Sequence, residues 1–371
     1  MTFVPVNEPL LTDAERSNLN ACIDQGWLSS EGPFVARFEA AVAEQAGRRH
    51  GIAVSSGSGA LEVAVAALEL GPGDEVIVPS MTIISSLAPI VRAGATPVLV
   101  DVRADTWNMD VGQVAERVTP RTRAVMVVHL YGLPVDMEPI LAIAERHGLA
   151  VIEDAAEMHG QDYRGRPCGG FGDLSVFSFY ANKHVTTGEG GMLLTDDDGL
   201  AERCRSLRNL CFDNVRRFVH DELGWNFRMT NMQAAVGLAQ MERLRGIVER
   251  KREIGRFYTE RLRTVDGLIL PLERTGYAEN IYWVYGLVLD DSVDFDASTA
   301  MSRLQAANVG TRPFFWPMHE QPVFRRARLF EGETYPVTER LARRGFYVPS
   351  GLALTDEQQL AVCDAVAGMM A

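Results

Sequence analysis

MEPILAIAERHGLAVIEDAA, residues 137–156, contains the unit from which the fold follows. Residues 137–148 read as a helix closed by Gly148, since glycine takes the left-handed turn that ends a helix at little cost. LAVIEDAA (149–156) then runs almost continuously apolar, the pattern of a strand buried on both faces of a mostly parallel sheet. Similar runs recur at DEVIVPS (74–80), TPVLVDV (96–102), AVMVVHLY (124–131), LSVFSFY (174–180) and GGMLLTDD (190–197), with a second helical segment at GALEVAVAALEL (59–70). This alternation predicts a doubly wound α/β domain, whose ligands bind beyond the carboxyl ends of the strands.

Further along, a helical stretch from about Thr230 to Leu262 leads to strands at GLILP (267–271) and YWVYGLVL (282–289). Helices are expected near 297–307 and 355–370. A chain of 371 residues exceeds the usual size of a single core. The expected division is a large domain over 1–245, including the N-terminal segment, and a smaller α+β domain over 246–371.

Composition narrows the function classes. With 36 basic and 49 acidic residues the net charge is −13, which disfavours nucleic acid as a partner. A local group of arginines still accommodates an anionic substrate. The start MTFVPVNEPLLTDAER has no basic stretch before an apolar core, so no signal peptide is read. No apolar run approaches the ~20 residues of a membrane span. The five cysteines (Cys22, Cys168, Cys204, Cys211, Cys363) are scattered without a CxxC pair. They suit free thiols in a reducing cytoplasm better than a disulfide framework or a metal site.

Three features together carry chemistry. SSGSGAL (55–61) follows the short run GIAV and opens a helix, where free amides and hydroxyls suit a phosphate. Alone, it is an ordinary capped helix start. Asp154 ends the LAVIEDAA strand, and a carboxylate there needs a partner, whether as a helix cap, an ion pair or the counter-ion of a heterocyclic nitrogen. Lys183, in SFYANKHVTTGEGG (178–191), follows the next apolar strand. A lysine there can bind phosphate, pair with a carboxylate or form a Schiff base, and a lone one is most often a solvated loop charge. In this order, however, the three are the parts of a pyridoxal phosphate site: helix start for phosphate, aspartate for the ring nitrogen, lysine for the aldehyde. Ser178 faces the same end and adds a hydroxyl.

At these residues the chain resembles the DegT/DnrJ/EryC1/StrS sugar aminotransferases, of the type I, aspartate aminotransferase-like, pyridoxal phosphate fold. The resemblance runs nearly end to end, through GWLSSEGPFVARFE (26–39), GPGDEVIVPSMT (71–82), GATPVLVDV (94–102), VIEDAAE (151–157), NKHVTTGEGGM (182–192) and GWNFRMTNMQAA (224–235). It implies that Lys183 holds the cofactor, that Asp154 pairs with its ring nitrogen, and that Gly57, Ser58 and Ser178 hold its phosphate. Glu157 would lie near the ring hydroxyl. Ile83 stands where relatives commonly place a stacking aromatic. Asn226 would reach the phosphate of a neighbouring subunit, which implies a homodimer with shared sites, whereas Arg228 reads as structural. In TRPFFWPMH (311–319), Arg312 and His319 become candidates for substrate contacts.

The implied reaction takes the amino group of L-glutamate through pyridoxamine phosphate to a nucleotide-linked keto sugar. HLYGLPVDM, NKxxTTGEGG and NFRMTN lean toward members that aminate C4 of a GDP-linked 4-keto-6-deoxymannose. In relatives that dehydrate sugars, a histidine replaces the cofactor lysine; here His184 merely follows Lys183. A regulatory member would lose Lys183 or Asp154, or add a DNA-binding segment, and neither change is seen.

Overall fold

The computed structural model describes residues 2–213, 215, 216 and 218–371. The segment 137–156 forms a helix, Met137–His147, that ends at Gly148 with φ 63°, and a strand at Ala150–Asp154. In chain order the strands are β1 (His50–Val54), β2 (Glu75–Pro79), β3 (Thr96–Val100), β4 (Thr122–Val128) and β5 (Ala150–Asp154), then a small hairpin of β6 (Asp162–Tyr163) and β7 (Arg166–Pro167), then β8 (Leu174–Ser178) and β9 (Gly191–Thr195). The main sheet has the order β1-β9-β8-β5-β4-β2-β3. Its pairings are parallel except those of β9, which runs against both β1 and β8.

Alternation along each strand feeds two cores. In β4, Ala124, Met126 and Val128 join one cluster, while Val125 and Val127 join the other. Because both faces are covered, every second residue stays apolar on either side, and the run looks continuous in sequence.

The stretch expected as one helix from Thr230 is two, Asn231–Met241 and Leu244–Leu262. The break at Glu242 and Arg243 re-aims the buried face. The first helix buries Ala234, Ala235 and Leu238 in the large core, whereas the second delivers Ile254, Tyr258 and Leu262 to a third core under the C-terminal sheet. A boundary at 245 therefore cuts the second helix near its start.

The C-terminal sheet contains β10 (Leu268–Ile269), β11 (Tyr285–Leu289), β12 (Arg312–Pro313) and β13 (Gly345–Val348), ordered β10-β11-β13-β12 and antiparallel throughout. β11 starts three residues later than the apolar run, because Tyr282 takes φ 48° and turns the chain. Within the N-terminal segment, grouped above with residues 1–245, the stretch at Val4 packs here, while Cys22 of the helix Asp13–Asp24 lies in the large core. The Val4 amide donates to Asn308 O (2.9 Å), Val4 O accepts from the Gly310 amide (2.8 Å), and the side chain lies in the third core. Among the described residues, no helix is long and apolar enough to cross a membrane.

One carboxylate ties the C-terminal part to the main sheet. Asp101, just past β3, accepts from the amides of Val337 (3.0 Å) and Thr338 (2.9 Å) and from the Thr338 hydroxyl (2.7 Å). These amides lie in the first turn of the helix Pro336–Arg344, whose own first residues offer no side-chain cap. Asp101→Ala leaves buried donors unpaired and is expected to cost about 2–3 kcal/mol, read as a lowered urea midpoint with an unchanged m-value.

Candidate active site

Beyond the carboxyl ends of β5 and β8 lies a cavity of about 410 Å³, within the roughly 300–1,000 Å³ of small-molecule sites. At one part of its wall the helix Gly57–Ala67 begins. Ser56 caps it, accepting from the Gly59 amide (3.0 Å). The Gly57 and Ser58 amides have no hydrogen-bond partner among the described residues. A Cβ at Gly57 would stand 2.8 Å from Ser178 Cβ, so only glycine lets the helix start abut the end of β8. The Ser58 hydroxyl lies 2.7 Å from that of Ser85. Unpaired amides, a helix N-terminus and the Ser58 and Ser178 hydroxyls together make an anion cradle.

Asp154 is the last residue of β5 and is buried. Its carboxylate accepts from the Ala156 amide (3.2 Å) and the Ser86 hydroxyl (3.2 Å). Burial raises its pKa against those bonds and against the nearby charge of Lys183. A cationic ring nitrogen would supply counter-charge to this carboxylate beyond what Lys183 provides.

Lys183 sits five residues past the end of β8, in a turn where its amide donates to Tyr180 O (2.9 Å), rather than on the strand itself. Its Nζ lies 3.5 Å from Glu157 Oε1 and 3.8 Å from the centroid of the Trp283 ring. Burial lowers the lysine's pKa, opposed by Glu157 and Asp154. Burial also pushes Glu157 up to about 7, although Lys183 and the Tyr131 amide (2.7 Å to Oε2) pull it down. A dry pocket thus brings an amine and a carboxyl toward neutrality from opposite sides. Ile83 lines the same cavity and is half exposed.

These residues meet the polar demands of pyridoxal phosphate. Unpaired amides suit its phosphate, Asp154 its ring nitrogen, Glu157 its ring oxygen and Lys183 its aldehyde.

Other singled-out residues lie elsewhere. Asn226 is exposed, in an isolated bridge with Asn209, and does not line this chain's cavity. Arg228 donates to Asn209 Oδ1 (2.7 Å). Arg312, on β12 opposite Tyr347, is exposed and donates to the carbonyl of Thr311 (3.0 Å). His319 is buried away from the cavity, its Nε2 donating to Glu339 Oε1 (3.0 Å). The sequence reading offered it as a substrate contact; the neighbouring helix Pro336–Arg344 occupies that nitrogen instead. His184 is buried and outside the cavity lining, and burial drives its pKa well below the usual imidazole range. Lying off the cavity wall, it is not placed to stand in for Lys183.

Sequence reasoning missed the aromatic wall of Trp283, Phe315 and Tyr347, which enters from the C-terminal part. Trp283 and Phe315 fall in stretches quoted above, yet no spacing rule links them to Lys183. A buried His129–Glu153–Cys168 group has metal-like spacing, but its two strongest donors are in use. Glu153 accepts from Gly169, Phe171, Ser175 and His129 Nε2, and His129 Nδ1 accepts from the Val135 amide.

Glu157 supports a pH prediction. Its folded pKa of about 7 lies above the 4.5 of a free glutamate, so between those values the folded chain holds the extra proton. The contribution of this group to stability therefore falls as pH rises through that window. In the cofactor-free protein, Glu157→Gln is expected to flatten that part of a urea-midpoint versus pH curve.

The family model "DegT/DnrJ/EryC1/StrS aminotransferase family" matches residues 9–367. The chain is 38% identical to GDP-perosamine synthase of Escherichia coli O157:H7, over 99% of this chain and 98% of that one. It is 40% identical to GDP-perosamine synthase of Caulobacter vibrioides, over 95% and 94%. The crystal structure of the aminotransferase TlmJ from Streptoalloteichus hindustanus superimposes with a TM-score of 0.91 at 33% identity, over 99% of this chain and 98% of that one.

Proposed function

The chain belongs to the DegT/DnrJ/EryC1/StrS aminotransferase family, and on that footing we propose that it moves the amino group of L-glutamate to C4 of GDP-4-keto-6-deoxy-D-mannose, giving GDP-perosamine. It is a pyridoxal phosphate-dependent aminotransferase with the type I fold. The observation that carries the reading of the site is the burial of Lys183 beside Glu157 at 3.5 Å, on the wall that also holds Asp154. A loop lysine kept for solubility would be in water. The choice of sugar nucleotide follows the named relatives; dTDP- or UDP-linked keto sugars, aminated at C3 or C4, are the alternative.

Pyridoxal phosphate, when bound, supplies an electron sink that lets a Cα–H bond of the amino donor break heterolytically. The Gly57 and Ser58 amides with the Ser58 and Ser178 hydroxyls would hold its phosphate, and Asp154 would keep its ring nitrogen protonated. Lys183 Nζ, as a neutral amine, takes the proton from the donor carbon and returns it one position away. Burial, which lowers its pKa, shifts the balance toward that form relative to an exposed lysine. Glu157, held near neutrality, donates a hydrogen bond in its protonated state. Trp283, Phe315 and Tyr347 exclude water from the proton's path.

The partner reading is a homodimer with shared sites, supported by an exposed Asn226 that stays off its own cavity. The five free, buried cysteines fit a reducing cytoplasm.

Two experiments test this. Incubation with L-glutamate and a panel of GDP-, dTDP- and UDP-4-keto-6-deoxyhexoses, read by mass spectrometry, should show amination of the GDP sugar by the wild type and none by Lys183→Ala. Near wild-type turnover by Lys183→Ala would sink the mechanism. Mixing inactive Lys183→Ala subunits with impaired Asn226→Ala subunits should restore about a quarter of wild-type activity, because half of the random dimers carry one intact composite site. No restoration would remove the shared-site reading.

A further inference from the structure

A lysine that holds a cofactor in one half of a reaction is released in the other, and its free ammonium then needs a place to rest. In this structure that place is the face of Trp283, 3.8 Å from Nζ to the ring centroid. Trp283 is held at three points. Its Nε1 donates to the carbonyl of Asn182 (3.0 Å), the residue before Lys183, so ring and lysine backbone are tied together. Its face is parallel to Tyr131, with an interplanar angle of 2° and centroids 6.1 Å apart. The main-chain carbonyl of Trp283 accepts from Lys251 Nζ (2.8 Å).

Lys251 is itself buried, on the helix Leu244–Leu262. Its Nζ also donates to Ser350 O (2.6 Å), and it has no ion-pair partner among the described residues. A cation bonded only to carbonyls in the interior is costly, and burial lowers Lys251 to about 7. Its two bonds join the residue that carries the indole to the segment after β13. Removing Lys251 would leave the Trp283 carbonyl without its donor and the turn at Tyr282 without its brace.

We propose that Trp283 is the docking face for the free amine of Lys183, and that Lys251 is the positioning residue that keeps Trp283 in place. The proposal rests on Lys183 being the cofactor lysine. The other groups facing Lys183 are Asp154 and Glu157 from the end of β5 and beyond, and His159, a neutral imidazole lowered by burial to about 3. Lys251 faces His184, also neutral. Trp283 is thus the partner that stabilises the ammonium without a formal charge, through the electron-rich ring face.

The test reads Lys183 directly in the full-length, cofactor-free protein, by acetic anhydride labelling across pH with peptide mass spectrometry. Trp283→Leu is expected to lower the labelling midpoint of Lys183 by roughly one pH unit, since the ammonium loses its ring face. Trp283→Phe keeps a face and should stay near wild type. Lys251→Met should shift the midpoint in the direction of Trp283→Leu by a smaller amount. An unchanged or raised midpoint in a folded Trp283→Leu protein would overturn the docking face. Should that variant not fold, Trp283→Met replaces it, with the same expected drop and the same overturning result. Lys251→Met with lower thermal stability and a wild-type midpoint would reduce Lys251 to a structural residue. Borohydride trapping of the cofactor on Lys183 in the wild type separates the two layers: failure there removes the cofactor-lysine reading, whereas normal trapping with unmoved midpoints removes only this inference.

Discussion

Two adjacent carboxylates buried at the end of one strand constrain everything around them. Residues 153 and 154 point to opposite faces of the sheet, as successive residues of a strand must. Glu153 is satisfied by the amides of Gly169 (2.7 Å) and Phe171 (2.8 Å), the Ser175 hydroxyl (3.0 Å) and His129 Nε2 (3.1 Å). Those bonds pin the end of β4, the loop before β8 and β8 itself to β5. Asp154, on the other face, takes only two hydrogen bonds from its surroundings. One acid is consumed by structure, which fixes the strand end, and the other is left short of partners in the cavity. A buried carboxylate with few partners is costly, and its pKa rises in consequence.

Much of this was legible in the chain itself. Strands buried on both faces announce themselves as continuous apolar runs; β2, β3, β5, β8 and β9 fall within them, and β4 begins two residues ahead of its run. Asp154 and Lys183 each have an ordinary reading alone and stood out only in order with the SSGSGAL helix start. The direction of β9 was not legible, since an apolar run reads alike in either orientation and the connection alone decides. Nor was the break at Glu242 and Arg243, where good helix formers continue through a change of buried face.

Long-range partners were the blind spot. His319 looked like a ligand-facing residue in TRPFFWPMH, but Glu339 lies twenty residues away in sequence and 3.0 Å away in space. Trp283 reached Lys183 across a hundred residues for the same reason. Periodicity reports which face of an element is buried; it cannot report which distant element lies against that face. Val4 falls under the same limit, because the short apolar run FVPV (3–6) does not say which distant element it meets.

Val4 also bears on the order in which the molecule is made. It leaves the ribosome long before its backbone partners, Asn308 and Gly310, which lie far downstream in the chain. Until they emerge, the third core lacks a buried side chain and the main-chain bonds that seat it. The large sheet, whose strands all lie before residue 196, can assemble while synthesis continues. The third core is complete only once the stretch at Val4 meets the one at Asn308 and Gly310, so the two sheets differ in how long each waits for its last contact.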